Sequence, residues 1–431
     1  MSFNFEKTKG SPIRLGVKEN WQQFVLLVLI NGFVGGMVGL ERSVLPVIAE
    51  EEFAVAAKTA ILSFIIVFGI VKAIANYYAG TLANRFGRKN LLVTGWIVAI
   101  PVPLMLMYGS SWIWIIAANV FLGIHQGLAW SSTVVMKIDL VGEKRRGFAM
   151  GLNEFAGYIA VAIVAFFTGW IASEYGVRPF PFYLGIALVL AGLLGSLFLI
   201  RDTRHHVAEE VRASEVPRLR NVFFDTSWRN RNLSSVTQAG LINNLNDGLM
   251  WGIFPLLLVT KNFSIHEIGV VTAIYPGVWG IGQLFTGRMA DLFCKKDLLY
   301  TGMLIQGIAL FFLAVADSMT WYIVLSALLG LGTALVYPTF LATIADYVNP
   351  LDRAECIGVF RLWRDLGYAI GAILAGVIAD LISIEASIVL VAVLTILSAF
   401  IIYVRMRCYN EKYIKLWDWM KGKKLKSDLE R

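Results

Sequence analysis

Twelve apolar runs, each long enough to cross a lipid bilayer, recur along the 431 residues of the chain. The hydrocarbon core of a bilayer is about 30 Å thick, which a helix of about 20 apolar residues spans. Charged residues make up only 16% of the chain, against about 25% in a soluble domain. The sequence therefore excludes a set of soluble domains and predicts an all-α polytopic membrane protein with 12 transmembrane helices. The runs begin near Trp21, Thr59, Asn90, Trp112, Phe148, Phe182, Ser235, Ile268, Leu298, Trp321, Ile357 and Ala386.

The lysines and arginines are distributed unevenly between the two sides of the membrane. With the amino terminus inside, 31 of the 38 lie in cytoplasmic segments and three lie within spans. Basic residues concentrate in the cytoplasmic loops of membrane proteins, so we expect both termini in the cytoplasm of a cell with the chain in its cytoplasmic (inner) membrane. The basic surplus then orients the chain, and no nucleic-acid partner is expected. The basic residues of the outer loops are Arg42, Lys58, Arg178 and Lys261.

A charged interior segment divides the spans into six and six. It covers residues 201–233 and predicts a cytoplasmic linker between two six-helix bundles, residues 1–200 and 234–405. Residues 406–431 interleave aromatic and basic side chains. This mixture is typical of an amphipathic segment that lies on an anionic inner leaflet, and it also suits a solvated basic tail.

The two predicted bundles share a weak internal repeat. Spans two and eight each place an amide side chain four residues before a glycine. Spans five and eleven each follow an arginine with a glycine five residues later, and then with a Gly-Tyr pair. Transporters are commonly built from duplicated halves of this kind. The matched residues are Asn76 and Gly80 with Gln283 and Gly287, and Arg146, Gly151 and Tyr158 with Arg353, Gly358 and Tyr368.

The segment from Gly80 to Lys89, GTLANRFGRK, resembles the loop 2-3 signature of the major facilitator superfamily, Gly-x-Leu-Ala-Asp-Arg-x-Gly-Arg-Lys. Only the aspartate differs, since Asn84 stands in its place. Together with the plan of six and six spans, the resemblance implies two pseudo-symmetric bundles that alternate access to a central site. The chain departs from the drug antiporters of that superfamily, because span four has Asn119 where an arginine is often found and span five lacks a Gly-Pro signature.

The resemblance also implies that this loop acts as a gate on the cytoplasmic side. Its glycines would allow a close helix approach and a tight turn. Its basic residues would bind carboxylates or helix carboxyl ends across the seam between the bundles. An aspartate in the second half would carry the acidic role that the asparagine lacks. The expected gate residues are Gly80, Asn84, Arg85, Gly87, Arg88, Lys89, Gly287 and Asp291.

Ionisable side chains within the predicted spans are few and balanced in sign. A charge in the bilayer core is costly unless it faces a bundle interior or water, so each one is a functional candidate. Equal numbers of acidic and basic residues favour mutual pairing, because an unpaired buried charge is more costly still. The six residues are Lys72, Arg361, Arg364, Glu154, Asp247 and Asp365.

The polar residues lie on eight of the spans, mostly along single helix faces. Spans three, six, nine and twelve are almost wholly apolar, with Gln306 as the main exception, which predicts that they face lipid. Residues three, four and seven apart share a face of a helix. The predicted substrate and proton site consists of Lys72, Asn76, His125, Glu154, Tyr158, Asn243, Asn246, Asp247, Arg361, Arg364, Asp365 and Tyr368.

Structural roles remain open for some of these residues. His125 is a lone histidine of the kind that forms a hydrogen-bonded helix contact, and the sequence predicts no metal site. Asp247 has asparagine neighbours that could satisfy it. Cys294, Cys356 and Cys408 are widely spaced on the cytoplasmic side, and we expect packing or surface thiols rather than a disulfide framework.

These features predict a secondary active transporter rather than an enzyme. No Gly-x-x-x-x-Gly-Lys-Ser/Thr loop occurs, so ATP is not the direct energy source, and no cofactor is expected. Protons are the expected coupling ion, because buried carboxylates can titrate near neutral pH. The three basic groups favour a small anionic or zwitterionic solute, carried by a monomer in the lipid bilayer. The alternatives are a drug/proton antiporter, a facilitative uniporter, a non-transporting receptor and an intramembrane enzyme that uses His125 with Glu154 or Asp247.

Overall fold

The computed structural model describes residues 14–42, 44, 45, 48, 52, 53, 58–142, 145–213, 216–263 and 265–408. Over these ranges the regular structure is helical, without a β-strand. The predicted amphipathic tail over residues 406–431 lies almost entirely outside the described residues.

The first six spans form one bundle, and a glycine directly follows the last residue of spans two, three, four and five. Span three is broken where Pro101, which has no backbone N–H, begins its second part. Spans one to six are Trp21–Arg42, Lys58–Phe86, Arg88–Ala99 continued by Pro101–Tyr108, Trp112–Val141, Arg146–Tyr175 and Tyr183–Phe198.

The second bundle repeats this plan after a short linker helix, Arg204–Ala213. Span seven is broken near Pro255, which lies in the first turn of its second part. Spans seven to twelve are Arg231–Gly252 continued by Phe254–Thr260, Ile265–Leu292, Lys295–Leu313, Met319–Tyr347, Arg353–Leu381 and Ile384–Arg405.

Ten helices in the described part of the chain are long and apolar enough to cross a membrane. Span seven is interrupted by Asn243, Asn244, Asn246 and Asp247 and is not among these ten. The predicted all-α membrane fold of two six-helix bundles is confirmed.

Glycines allow the helices within the first bundle to pack closely. A Cβ atom on Gly35 of span one would lie 2.1 Å from the carbonyl oxygen of Gly157 in span five. One on Gly192 of span six would lie 2.2 Å from the buried ring of Trp96 in span three. Small residues of this kind let membrane helices approach backbone to backbone.

The bundles meet along spans two and eleven and along spans five and eight. A Cβ atom on Gly80 would lie 2.8 Å from the Cα atom of Gly358, and one on Gly287 would lie 2.8 Å from the Cα atom of Gly151. These equivalent contacts follow the predicted repeat. Both occur at the end of the bundles that carries residues 201–233, which we call the linker side, and they close the seam there.

Candidate functional site

A cavity of about 610 Å³ lies in the seam, near the middle of the spans. This volume falls within the range of about 300–1,000 Å³ that is usual for small-molecule sites. The lining comes from spans one, two, four, five, seven, eight, ten and eleven, as the distribution of polar residues predicted. The cavity extends away from the linker side to Trp251, which is 47% exposed. Its polar lining residues include Lys72, Tyr158, Asn244, Asp247, Arg364, Asp365 and Tyr368.

An ion pair between neighbours on span eleven occupies the centre of this lining. Arg364 donates to the same Asp365 oxygen from Nε at 3.0 Å and from Nη2 at 2.8 Å. Asn76 of span two donates to the other oxygen at 2.5 Å. The guanidinium also lies 5.0 Å from the ring centroid of Tyr337. Both charges of this pair are therefore compensated, and its position is fixed by contacts from both bundles.

Lys72 supplies the positive charge on the first-bundle wall. Its Nζ lies 5.5 Å from the ring centroids of Phe68 and of Trp130. Aromatic faces attract cations of this kind. Among the described residues, no carboxylate lies within ion-pairing distance of Lys72. The ammonium is therefore available to a ligand in the cavity.

Asp247 supplies a negative charge on the second-bundle wall. One of its oxygens accepts a hydrogen bond from the Tyr275 hydroxyl, and no described lysine or arginine forms an ion pair with it. The Trp279 ring stacks on Tyr275 at 5.9 Å and contacts Tyr158 at 4.3 Å and Tyr337 at 5.0 Å. Asp247 therefore lies beside an aromatic wall.

A second buried polar layer lies one helical turn nearer the linker side. Glu154 accepts hydrogen bonds at Oε1 from Asn153 at 2.7 Å and from Trp130 at 3.3 Å. Arg361 Nη2 lies 3.8 Å from the same oxygen, and Arg361 Nη1 donates to Ser131 at 3.3 Å. Glu154 Oε2 has no hydrogen-bond partner among the described residues. This layer forms the floor below the cavity.

The predicted pairing of the six charges is therefore realised for four of them. Arg364 pairs with Asp365, and Arg361 lies beside Glu154, whereas Lys72 and Asp247 belong to no ion pair within the described ranges. Arg361 belongs to the floor with Glu154 and does not line the cavity.

Three predicted site residues lie away from the cavity, inside their own bundles. His125 Nδ1 lies 3.0 Å from the carbonyl oxygen of Gly95. Asn246 donates to Gln306 at 3.0 Å, and Asn243 is fully buried between helices. Helical spacing groups residues on a face, but it does not distinguish a face that meets the cavity from one that meets a neighbouring helix.

Span four contains a buried lysine that the sequence prediction assigned to a cytoplasmic segment. Lys137 is fully buried, and its Nζ donates to the carbonyl oxygen of Leu27 at 2.9 Å. Span four runs to Val141, because no glycine or proline interrupts the helix between Gly127 and Gly142. The absence of a glycine or proline from this segment is the sequence signal that could have predicted the longer span.

Two gate residues reach across the seam on the linker side. Asn84 donates to the carbonyl oxygen of Leu351 at 2.6 Å, a hydrogen bond that an ionised aspartate, which only accepts, could not form. Asp291 accepts from the backbone N–H groups of Gly147 at 2.7 Å and Phe148 at 2.8 Å. These groups lie at the amino end of span five, where a carboxylate complements the helix dipole.

The basic residues of the loop do not cross the seam, which corrects the sequence prediction. Arg88 pairs with Asp139 of span four at 3.2 Å, and Lys89 donates to the carbonyl oxygen of Leu197 at 2.8 Å. Both contacts lie within the first bundle. Arg85 is exposed. Gly87 has a φ of 90°, which a glycine adopts without strain, so the tight turn is present.

Glu210 of the linker helix bridges the two bundles. It accepts from Arg353 of span eleven at 2.6 Å and 2.9 Å and from Arg146 of span five. Burial alone would raise the pKa of Glu210, but the two guanidinium groups lower it below its ordinary value. Arg146 also pairs with Asp346 at 2.8 Å, which adds a direct contact across the seam. No sequence pattern pointed to Glu210, which lies 143 residues from Arg353.

Cys294 and Cys408 form a disulfide, so the expectation of free thiols is wrong for this pair. The two residues are 114 positions apart, and their Cα atoms lie 5.9 Å apart after spans eight and twelve. Their wide spacing in the sequence does not predict this proximity, because the two cysteines come together only when the helices pack. Cys356 is a free, buried thiol.

Comparison with known proteins identifies relatives over most of the chain. The Proton-coupled antiporter flippase LtaA of Staphylococcus haemolyticus (strain JCSC1435) is 24% identical over 378 residues, covering 85% of this chain and 88% of that protein. The Uncharacterized MFS-type transporter MJ1560 of Methanocaldococcus jannaschii is 20% identical over 340 residues, covering 79% of this chain and 87% of that protein. The structure of the human organic anion transporter MFSD10 (TETRAN) has a TM-score of 0.72 at 15% identity, covering 88% of this chain and 99% of that chain.

The profile of one family matches the chain in two consecutive parts, residues 24–235 and 236–415. Each part spans a six-helix bundle, in agreement with the internal repeat and the loop signature. The chain belongs to the Major Facilitator Superfamily and is a multi-pass secondary transporter.

Proposed function

We propose that this transporter moves a small anionic or zwitterionic organic solute by alternating access, coupled to protons. The observation that carries the proposal is the central cavity, which places Lys72 and Arg364 from opposite bundles in one lining. Sites between two bundles that rock against each other are typical of secondary transporters. The glycine contacts and the Glu210 bridge close the linker side, so the described conformation suits solute entry from the opposite side.

The linker side is proposed to face the cytoplasm, with both termini there and the chain acting as a monomer in the cytoplasmic membrane. We assign residues 1–200 and 234–405 to the two bundles and residues 201–233 to the linker. The excess of basic residues in the segments on the linker side supports this orientation.

Accessibility of single cysteines tests the orientation. In a background with all three native cysteines replaced by serine, Tyr108→Cys is expected to react with an impermeant maleimide in intact cells, whereas Arg212→Cys reacts only after permeabilisation. Both side chains are well exposed, at 68% and 69%, so burial does not explain a difference. The reverse pattern would overturn the orientation.

Glu154 is proposed as the proton carrier. It lies one turn below the cavity and has an oxygen without a hydrogen-bond partner among the described residues. The nearest cationic atom, on Arg361, is 3.8 Å away, so protonation would break no close ion pair. The relatives named as proton-coupled antiporters support proton coupling as a mechanism.

Flux in proteoliposomes tests the proposed function. The purified protein is reconstituted and offered a panel of organic anions, zwitterions and cations, with and without an imposed pH gradient. We expect gradient-dependent flux of an anion or zwitterion, and none in vesicles without protein. Flux that ignores the gradient would favour a uniporter, and proton-driven efflux of cations would favour a drug antiporter. No flux of any compound would contradict the proposal.

A further inference from the structure

The cavity lining has two positive and two negative side chains, and one of each sign forms no ion pair within the lining. Arg364 is compensated by Asp365 at 2.8 Å. Lys72 on span two and Asp247 on span seven form no ion pair with any described residue, although both line the cavity. Arg364 and Asp365 line the same cavity as Lys72 and Asp247. The cavity therefore has a positive pole on the first bundle and a negative pole on the second.

The positive pole suits a carboxylate. The Lys72 ammonium has three N–H donors and no acceptor, and its known contacts are the faces of Phe68 and Trp130. Neither ring supplies a strong hydrogen-bond acceptor. A ligand carboxylate beside Lys72 would accept those donors without displacing a partner.

The negative pole suits an ammonium group. Tyr275 donates to one oxygen of Asp247, which leaves the second oxygen for a ligand donor. Tyr275 contacts this carboxylate and Trp279 stacks on Tyr275. Aromatic faces attract ammonium groups, tryptophan most strongly. Asn244, which also lines the cavity, has a buried carbonyl oxygen without a hydrogen-bond partner in the described structure.

We propose that the cavity recognises a zwitterion bearing an apolar group, with its carboxylate at Lys72, its ammonium at Asp247 and its apolar part against Trp130, Tyr158 and Trp279. The proposal rests on the transport function proposed above and narrows its substrate class. A simple anion would leave Asp247 desolvated without a counter-charge. A simple cation would leave Lys72 desolvated without a counter-charge. Buried charges without partners are strongly destabilising, so a ligand with both charges is preferred.

Three matched probes test this preference. L-phenylalanine carries both charges, 3-phenylpropionate lacks the ammonium, and phenethylamine lacks the carboxylate. Binding to purified protein is measured by the shift in its thermal unfolding temperature with probe concentration. We expect phenylalanine to bind about tenfold or more tightly than either single-charge probe, as is usual when a buried charge keeps its partner.

Two charge-removing variants should reverse the preference in opposite directions. In Asp247→Asn, 3-phenylpropionate is expected to bind better than phenylalanine, because the ammonium has lost its partner. In Lys72→Gln, phenethylamine is expected to become the preferred probe. The matched controls are Asp380→Asn, at an exposed position on span eleven, and Lys261→Gln, between spans seven and eight, which should keep the wild-type order. Asp247→Glu and Lys72→Arg keep the charges and should retain the preference, which separates charge recognition from folding.

Three results would overturn the zwitterion proposal. The first is tighter binding of 3-phenylpropionate or phenethylamine than of phenylalanine to the wild type. The second is an equal loss of binding of all three probes in both charge-removing variants, provided that these variants still unfold cooperatively. The third is no binding of any probe. Proton-driven flux of an anion in the proteoliposome panel would leave the proposed transport function standing after such a failure. Absence of all flux would instead remove the transport function itself.

Discussion

Glu154→Gln is expected to abolish solute accumulation driven by a pH gradient and to spare exchange of solute across the membrane. Glutamine keeps the size of the side chain and an oxygen that can accept from Asn153 and Trp130. It cannot gain or lose a proton, so the variant resembles a permanently protonated carrier. Exchange requires the loaded carrier to reorient without releasing the proton, and this step remains possible.

Accumulation and exchange are measured on the same proteoliposomes. Accumulation under a pH gradient should fall to the level of empty vesicles, while counterflow of labelled solute stays near the wild-type rate. Glu174→Gln serves as a matched control, because Glu174 is exposed near the far end of the same span. If Glu154→Gln still concentrates solute normally, Glu154 has a structural role, and Asp247 becomes the next candidate for the proton carrier.

Glu210→Ala is expected to open the linker side. The substitution leaves Arg353 and Arg146 buried without their shared carboxylate. Removing one partner of a buried ion pair costs about 3–5 kcal/mol, and the cost is smaller here because Asp346 and Asp139 still lie beside Arg146 and Arg353. This cost falls mainly on the closed conformation, since opening exposes both guanidinium groups to water. At about 1.4 kcal/mol for each factor of ten, the equilibrium should shift by roughly tenfold or more toward opening.

Cross-linking across the seam measures this shift. Positions 84 and 351 are neighbours across the seam, since Asn84 donates to the Leu351 carbonyl oxygen at 2.6 Å. Cysteines there should be joined rapidly by a short bifunctional maleimide in the parent and slowly in Glu210→Ala. Glu209→Ala is the matched control, because Glu209 is half-exposed and its ion pair among the described residues is with the exposed Arg212, at 3.2 Å. Equal cross-linking rates in the parent and in Glu210→Ala would show that the bridge does not hold the seam closed.

The pH dependence of this closure follows from the lowered pKa of Glu210. A carboxyl group whose pKa is lower in the folded state contributes stability above its ordinary pKa of about 4.3. That contribution is lost as pH falls through the lowered value. The bridge should therefore persist at neutral pH, and Glu210→Gln, which resembles the protonated form, should show the open seam already at pH 7.

The spans and the polar stripe of span eleven could be predicted because each rests on a local pattern. Apolar length identifies a membrane helix, and the spacing of Arg364, Asp365 and Tyr368 places them on one face. What a helix face packs against, by contrast, does not follow from a local sequence pattern. The sequence prediction places Asn246 in the site with its neighbour Asp247, yet Asn246 points away from the cavity and bonds to Gln306, because span nine packs there.

Contacts between segments that are distant in the sequence could not be predicted from local sequence patterns. Glu210 acts only when the linker helix docks between spans five and eleven. The sequence prediction places Lys137 in a cytoplasmic segment, whereas the helix continues and gives its ammonium a carbonyl partner on Leu27. Predicting either contact requires the packing of the bundles, which no local pattern specifies.

Span seven is too polar to partition into lipid as an isolated helix. An aspartate such as Asp247 near a helix centre opposes insertion by about 2.5–3.5 kcal/mol. Asn246 finds its partners on spans nine and twelve, Gln306 at 3.0 Å and Thr395 at 2.8 Å, and both are made after span seven during synthesis. During biogenesis, span seven should therefore stay at the translocon until those later helices arrive. A fragment released after span eight would lack both partners and would expose a polar helix to the proteases of membrane quality control.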